Sequence, residues 1–148
     1  MRGMRRLLAT QAPRAVILVR LIVGAVFLSE GIQKLLFPAD LGVGRFAKIG
    51  LPAPGFLAPF VGSFEITCGA LVLLGLFTRL AALPLIAIML VAISTTKVPM
   101  LMSKGFWATA HEARTDWSML LGSTYLLVVG AGRWSLDAVL GRRRAADE

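Results

Sequence analysis

Glu30, Lys34 and Glu65 are ionisable residues set inside long apolar runs, and that setting defines the chemistry open to them. A charge in the hydrocarbon interior of a bilayer costs about 2.5–3.5 kcal/mol on insertion scales, so such residues pair, titrate or hold a ligand. Glu30 and Lys34 stand four apart, which puts them on one helix face and within reach of each other. Glu65 needs a partner: it takes a proton, shares Lys34 or Lys97, or hydrogen-bonds a ligand. A carboxylate so placed can exchange a proton with a substrate oxygen, and a neighbouring ammonium group can hold and tune it. Two readings stand side by side, a buried ion network that fixes helix register and a proton-handling or polar-headgroup site. Residue type does not separate them.

The elements that must position these groups are membrane helices. Of 148 residues, 57% are hydrophobic and only 16% charged, the composition of an integral membrane protein of one domain. Apolar windows of roughly 20 residues, the length that crosses a bilayer, lie near residues 15–37, 56–77, 80–97 and 117–132. They are too long and too continuous for barrel strands. The expected fold is therefore all-α, a four-transmembrane-helix bundle over residues 15–140, between a basic segment (1–14) and a charged tail (141–148). The first apolar run lacks a small-x-small cleavage site and reads as a retained helix. Arg2, Arg5, Arg6, Arg14, Arg79, Arg133 and Arg142 to Arg144 would share one side, which places both termini in the cytoplasm by the positive-inside rule. The net charge of +8 is thus assigned to topology and lipid headgroups, and no nucleic-acid partner is expected. Trp107 and Trp117 would mark the outer boundary and Trp134 the inner one.

In this arrangement Glu30 lies about two turns and Lys34 about one turn from the outer end of the first helix. Glu65 enters at nearly the same depth on the second, Lys97 closes the third and Asp116 opens the fourth. The polar set converges on one leaflet. Arg20 alone sits toward the other, where a long side chain can snorkel. Prolines and glycines break the outer loop of residues 38–55, with a short amphipathic turn around Val43–Ile49. A second outer loop, residues 98–116, carries Phe106, Trp107 and His111. The Thr78–Arg79 connection is tight enough to make helices two and three antiparallel neighbours, and Pro84 falls in the first turns of helix three. Gly24 with Gly31, Gly62 with Gly69, and Ser118 with Gly122 have the spacing of close helix packing. Cys68 is the single cysteine, so an intrachain dithiol is excluded. His111 is the single histidine, and no metal site, flavin motif or haem ligand pair is expected.

The chain resembles the DoxX family over nearly its whole length. Arg20, Gly24 and Gly31-Ile-Gln-Lys34 are similar to that family's pattern in helix one; Glu65-Ile-Thr-Cys-Gly69 and Gly75-Leu-Phe-Thr78-Arg79 resemble its second helix and turn; Gly105-Phe106-Trp107 and Gly130-Ala-Gly132-Arg133-Trp-Ser135-Leu-Asp137 resemble its loop and end. Asp116 stands where relatives often carry Glu. The resemblance implies a bacterial inner-membrane protein, named after a subunit associated with quinone-linked sulfur oxidation, and a redox context more than a reaction. On that basis the expected function is a subunit of a redox assembly that binds quinone or quinol, or a similar amphiphile, beneath the outer surface. Glu65 or Glu30 would exchange protons with it, Lys34 would hold the carboxylate, Phe106 and Trp107 would cover the ring, and Lys97, Asp116 and Arg20 would complete the ligand site. No covalent cofactor is implied. Partners would be lipids and other membrane or periplasmic redox proteins, and a homo-oligomer stays open. The alternatives are a non-enzymatic scaffold subunit and a small-molecule or lipid transporter.

Overall fold

Glycines seven apart on two apolar segments let two helix backbones touch. In the computed structural model, which describes residues 12–146, helix α1 (Val16–Leu36) is followed by a short α2 (Val43–Lys48) and then by α3 (Pro54–Leu74). The arginines at positions 2, 5 and 6 of the basic N-terminus, and residues 147–148, lie outside the described residues. A Cβ placed on Gly31 would come within 2.6 Å of the Gly62 carbonyl oxygen, and one on Gly69 within 3.0 Å of the Gly24 carbonyl oxygen. Residue numbers rise on α1 as they fall on α3, so the two cross antiparallel with no room for side chains between them. This is the packing that small residues permit where lipid supplies no hydrophobic drive.

Helix α3 ends at Gly75, whose φ of +66° is the left-handed conformation that glycine adopts without strain. The tight turn predicted here follows, and α4 (Thr78–Ala92) runs back beside α3. It does not stop at Lys97. A π-helical turn, Ile93–Lys97, leads directly into α5 (Val98–Lys104), so the chain is helical over 27 residues. Pro99 explains the widening: its ring would clash with the carbonyl of Thr95 and it offers no N–H to that group. Pro84 is the seventh residue of α4, within its first two turns as expected.

The second loop is not irregular. Besides α5 it holds α6 (Phe106–Glu112), separated only by Gly105, and then α7 (Arg114–Val129). Helix α7 begins and ends three residues earlier than the hydropathy window indicated, because Gly130 terminates it in a conformation with φ of +87°. It packs antiparallel to α4, with Arg79 donating to the Val128 carbonyl at one end and Lys97 beside Asp116 at the other. It also packs antiparallel to α1, since a Cβ on Gly122 would strike Val23. The chain closes with α8 (Leu136–Ala146).

Among the described residues the protein is all-helical, with no strand. Three helical runs are long and apolar enough to cross a membrane: α1, α3 and the continuous stretch from α4 to α5. Helix α7, at 16 residues, is about 24 Å long, shorter than the roughly 30 Å hydrocarbon core. The buried core, with Val23, Phe27, Cys68, Leu85 and Leu126 at its centre, lies where these four helices meet.

Candidate functional site

The charged residues of the apolar segments meet at one end of the bundle. Lys34 Nζ, on α1, lies 2.8 Å from Glu65 Oε2 on α3 and donates to Glu65 Oε1 at 3.1 Å. Glu30 Oε2, one turn earlier on α1, is 3.5 Å from the same ammonium group. Glu65 is 1% exposed, whereas the Glu30 side chain is half open to its surroundings. One lysine thus serves two carboxylates, the inner of which has no other charged neighbour at pairing distance among the described residues. Lys97, the other cation considered for Glu65, pairs instead with Asp116 Oδ2 of α7 at 3.3 Å.

All five residues line a single cavity of about 460 Å³. That volume falls within the usual range for small-molecule sites, as does a mostly apolar wall carrying a few convergent polar groups. Phe27, Val61, Ile88, Met89 and Met119 supply much of the wall. The surface segment missed as a site element covers it: α2 and its flanks contribute Leu41, Arg45, Phe46 and Ile49, with Phe46 buried against the bundle. The amphipathic spacing of residues 43–49 was the available signal. Thr95 and Thr96 were also missed; their hydroxyls donate to the Val91 and Ala92 carbonyls while the residues line the cavity.

Two expectations for this site need correction. Phe106 and Trp107 do not cover it. They are 64% and 83% exposed, packed edge-on against each other at 5.2 Å between ring centres, and lie outside the cavity lining. Arg20 neither lines the cavity nor snorkels: it is 3% exposed at the opposite end of the bundle. Among the described residues no group of three or more histidine, cysteine, aspartate or glutamate side chains could hold a metal ion.

The DoxX family model matches residues 15–98. Over 147 aligned residues, 95% of this chain and 90% of the relative, 54% are identical to Rv3486 of Mycobacterium tuberculosis, described as an uncharacterized membrane protein. The chain belongs to the DoxX family. A second relative, CatD of Bacillus subtilis, carries a provisional oxidoreductase name and is 31% identical over 82% of this chain and 83% of its own length. No solved structure matches the chain.

The segments that carry the DoxX resemblance divide between the two ends. Lys34 and Glu65 belong to the cavity. Arg20, the Gly75-to-Arg79 turn and the Gly130-to-Asp137 segment meet at the far end in one network. Arg20 donates to the carbonyls of Val72 (2.9 Å) and Leu73 (2.5 Å) on α3, and of Ala131 (3.3 Å) and Trp134 (2.5 Å) after α7. The first two belong to the last turn of α3, where carbonyls run out of intrahelical donors; the other two belong to the connection between α7 and α8. Asp137 does the converse. Its carboxylate accepts from the backbone N–H groups of Phe77 (2.7 Å) and Thr78 (3.1 Å), the free donors at the start of α4. It thereby holds Phe77 at a φ of +48°, a conformation costly for a residue with a side chain. Gly75 completes the fit, since a Cβ there would lie 2.6 Å from the Arg20 guanidinium carbon.

Proposed function

We propose that this DoxX protein is a subunit of a membrane redox assembly that binds quinone or quinol, or an amphiphile of similar shape, in the cavity between α1, α3, α4 and α7. The observation that carries this reading is the pairing of an apolar cavity wall with a buried carboxylate, Glu65, tethered to Lys34. A ring and tail suit the wall, and a ring oxygen suits the ion pair. In quinol oxidation the substrate loses two protons and two electrons. Glu65 is placed to take the two protons in succession, Lys34 to steady the carboxylate before and the carbonyl after transfer, and half-exposed Glu30 to pass each proton outward before the next arrives. The two electrons go to an oxidoreductase partner. The provisional oxidoreductase name of CatD supports this context.

In this reading four helices span the membrane, with α7 as the short fourth, and the membrane is the bacterial inner one. The termini face the cytoplasm: Arg14, Arg79, Arg133 and Arg142 cluster at the Arg20 end, while basic and acidic residues alternate at the cavity end. The cavity then lies under the outer surface, facing periplasmic or membrane partners. The scaffold reading draws on one observation of its own, that Lys34 joins α1 to α3 and so would fasten them together without a ligand.

Mass spectrometry of small molecules that co-purify with the detergent-extracted protein separates the two. A stoichiometric quinone, lost in Glu65→Gln while thermal stability is kept, is the expected result. No quinone, together with a destabilised variant, would establish the ion pair as a fastening and overturn the redox reading.

A further inference from the structure

The cavity carries two ion pairs that do not exchange partners. Lys34–Glu65 joins α1 to α3, and Lys97–Asp116 joins the end of the π turn to α7. Both lysine side chains are largely buried, 12% and 13% exposed, and both pairs line the same space. Each pair offers an ammonium donor and a carboxylate acceptor, so each can meet either a carbonyl or a hydroxyl oxygen. A cavity with a single polar group would orient a ligand of one oxygen; this one has two such groups, borne on opposite helix pairs.

The backbone is shaped to bring the second pair inward. Thr95, Thr96 and Lys97 are consecutive, yet all three line the cavity. On a regular helix three successive residues spread over about 200°, at roughly 100° per step. The wider π turn of Ile93–Lys97 narrows that spread, and single π turns inside helices often mark functional sites. Its cost is the strain set by Pro99, and its effect is to swing Lys97 onto Asp116 across the cavity.

We infer that the site selects a ligand with two oxygen poles on an apolar ring, one pole held by Lys34–Glu65 and the other by Lys97–Asp116. The inference rests on the quinone reading and specifies it: the ligand is a para-dioxygenated ring bound at both ends, not a headgroup bound at one.

The test compares two bicyclic probes of similar shape, menadione with two para ring oxygens and 1-tetralone with one, by calorimetry on the full-length protein in detergent. The wild type is expected to bind menadione about tenfold more tightly, the worth of one additional charge-assisted hydrogen bond. Lys97→Met is expected to abolish that preference while leaving 1-tetralone affinity within about twofold of the wild type. Should Lys97→Met fail to fold, the double variant Lys97→Met with Asp116→Leu, which buries no unpaired charge, carries the same comparison. Equal affinities in the wild type, or a preference that survives loss of Lys97, would overturn the two-pole inference and leave quinone binding standing. Failure of the wild type to bind either probe would overturn both.

Discussion

At the scale of single residues, the two most deeply buried charged groups within the spanning helices do opposite things. Glu65 faces a cavity with one lysine as its partner. Arg20 is used up by four backbone carbonyls. A buried polar group deprived of its partner costs about 1–3 kcal/mol. Arg20→Ala strips donors from the end of α3 and from the segment after α7 at once, so a loss of at least about 3 kcal/mol is expected, read as a lowered thermal midpoint in detergent. Arg20→Lys should not restore it, because a lysine ammonium cannot reproduce the planar fork that spans α3 and the segment after α7. A thermal midpoint unchanged in Arg20→Ala would refute a structural role for the network. The sequence made the cavity charges legible because depth along a helix follows directly from residue count. Arg20 was misread for a related reason: its depth was visible, but the carbonyls that receive it come from positions 72, 73, 131 and 134, and no local pattern announces contacts at such separation. The resemblance and a place in the outer loop suggest Phe106 and Trp107 as a cover for the ligand, whereas the helix they open leaves both rings exposed outside the cavity lining.

At the scale of elements, the helix pairs were legible through their glycines. The spacing of Gly24, Gly31, Gly62 and Gly69 indicated a contact stripe, and the structure joins the two stripes face to face. Overpacking such a crossing costs about 1–3 kcal/mol. Gly31→Ala and Gly69→Ala should each lower stability by that amount, since their Cβ atoms would lie 2.6 Å from the Gly62 carbonyl oxygen and 2.8 Å from the Leu28 backbone nitrogen. Gly55→Ala, with nothing within 4 Å, is the matched control and should be neutral or slightly stabilising. Equal thermal midpoints for all three variants would show that the crossing yields at no cost. The elements that were not legible are those whose limits depend on a clash rather than on composition. Hydropathy ended helix three at Lys97, yet Pro99 was absorbed by a π turn instead of breaking the chain. Residues 98–116 read as a loop because they fall between two apolar windows, and helices of seven residues such as Val98–Lys104 and Phe106–Glu112 are too short to leave a mark on a membrane-length window.

At the scale of the whole molecule, the two ends are built for different work. One is closed by Arg20, Asp137 and the backbone groups they bind; the other holds the cavity, lined on its outer side by the short α2 and its flanks. A binding site served from one face needs such an asymmetry, whereas a transporter must open each end in turn. Labelling can tell these apart, helped by the burial of the native Cys68, which keeps background reaction low. Thr95→Cys puts a thiol on the cavity wall, and Arg133→Cys puts one on the exposed surface of the far end. In intact spheroplasts a membrane-impermeant maleimide is expected to modify Thr95→Cys and to spare Arg133→Cys; in inverted vesicles the pattern should reverse. Modification of Arg133→Cys from outside would invert the proposed orientation. Modification of Thr95→Cys from both sides would show that the Arg20 end opens, which would make the network a gate and the cavity a carrier site. The thermal cost expected for Arg20→Ala bears on the same choice, since a closure held by four hydrogen bonds would open only at a cost that transport must repeatedly overcome.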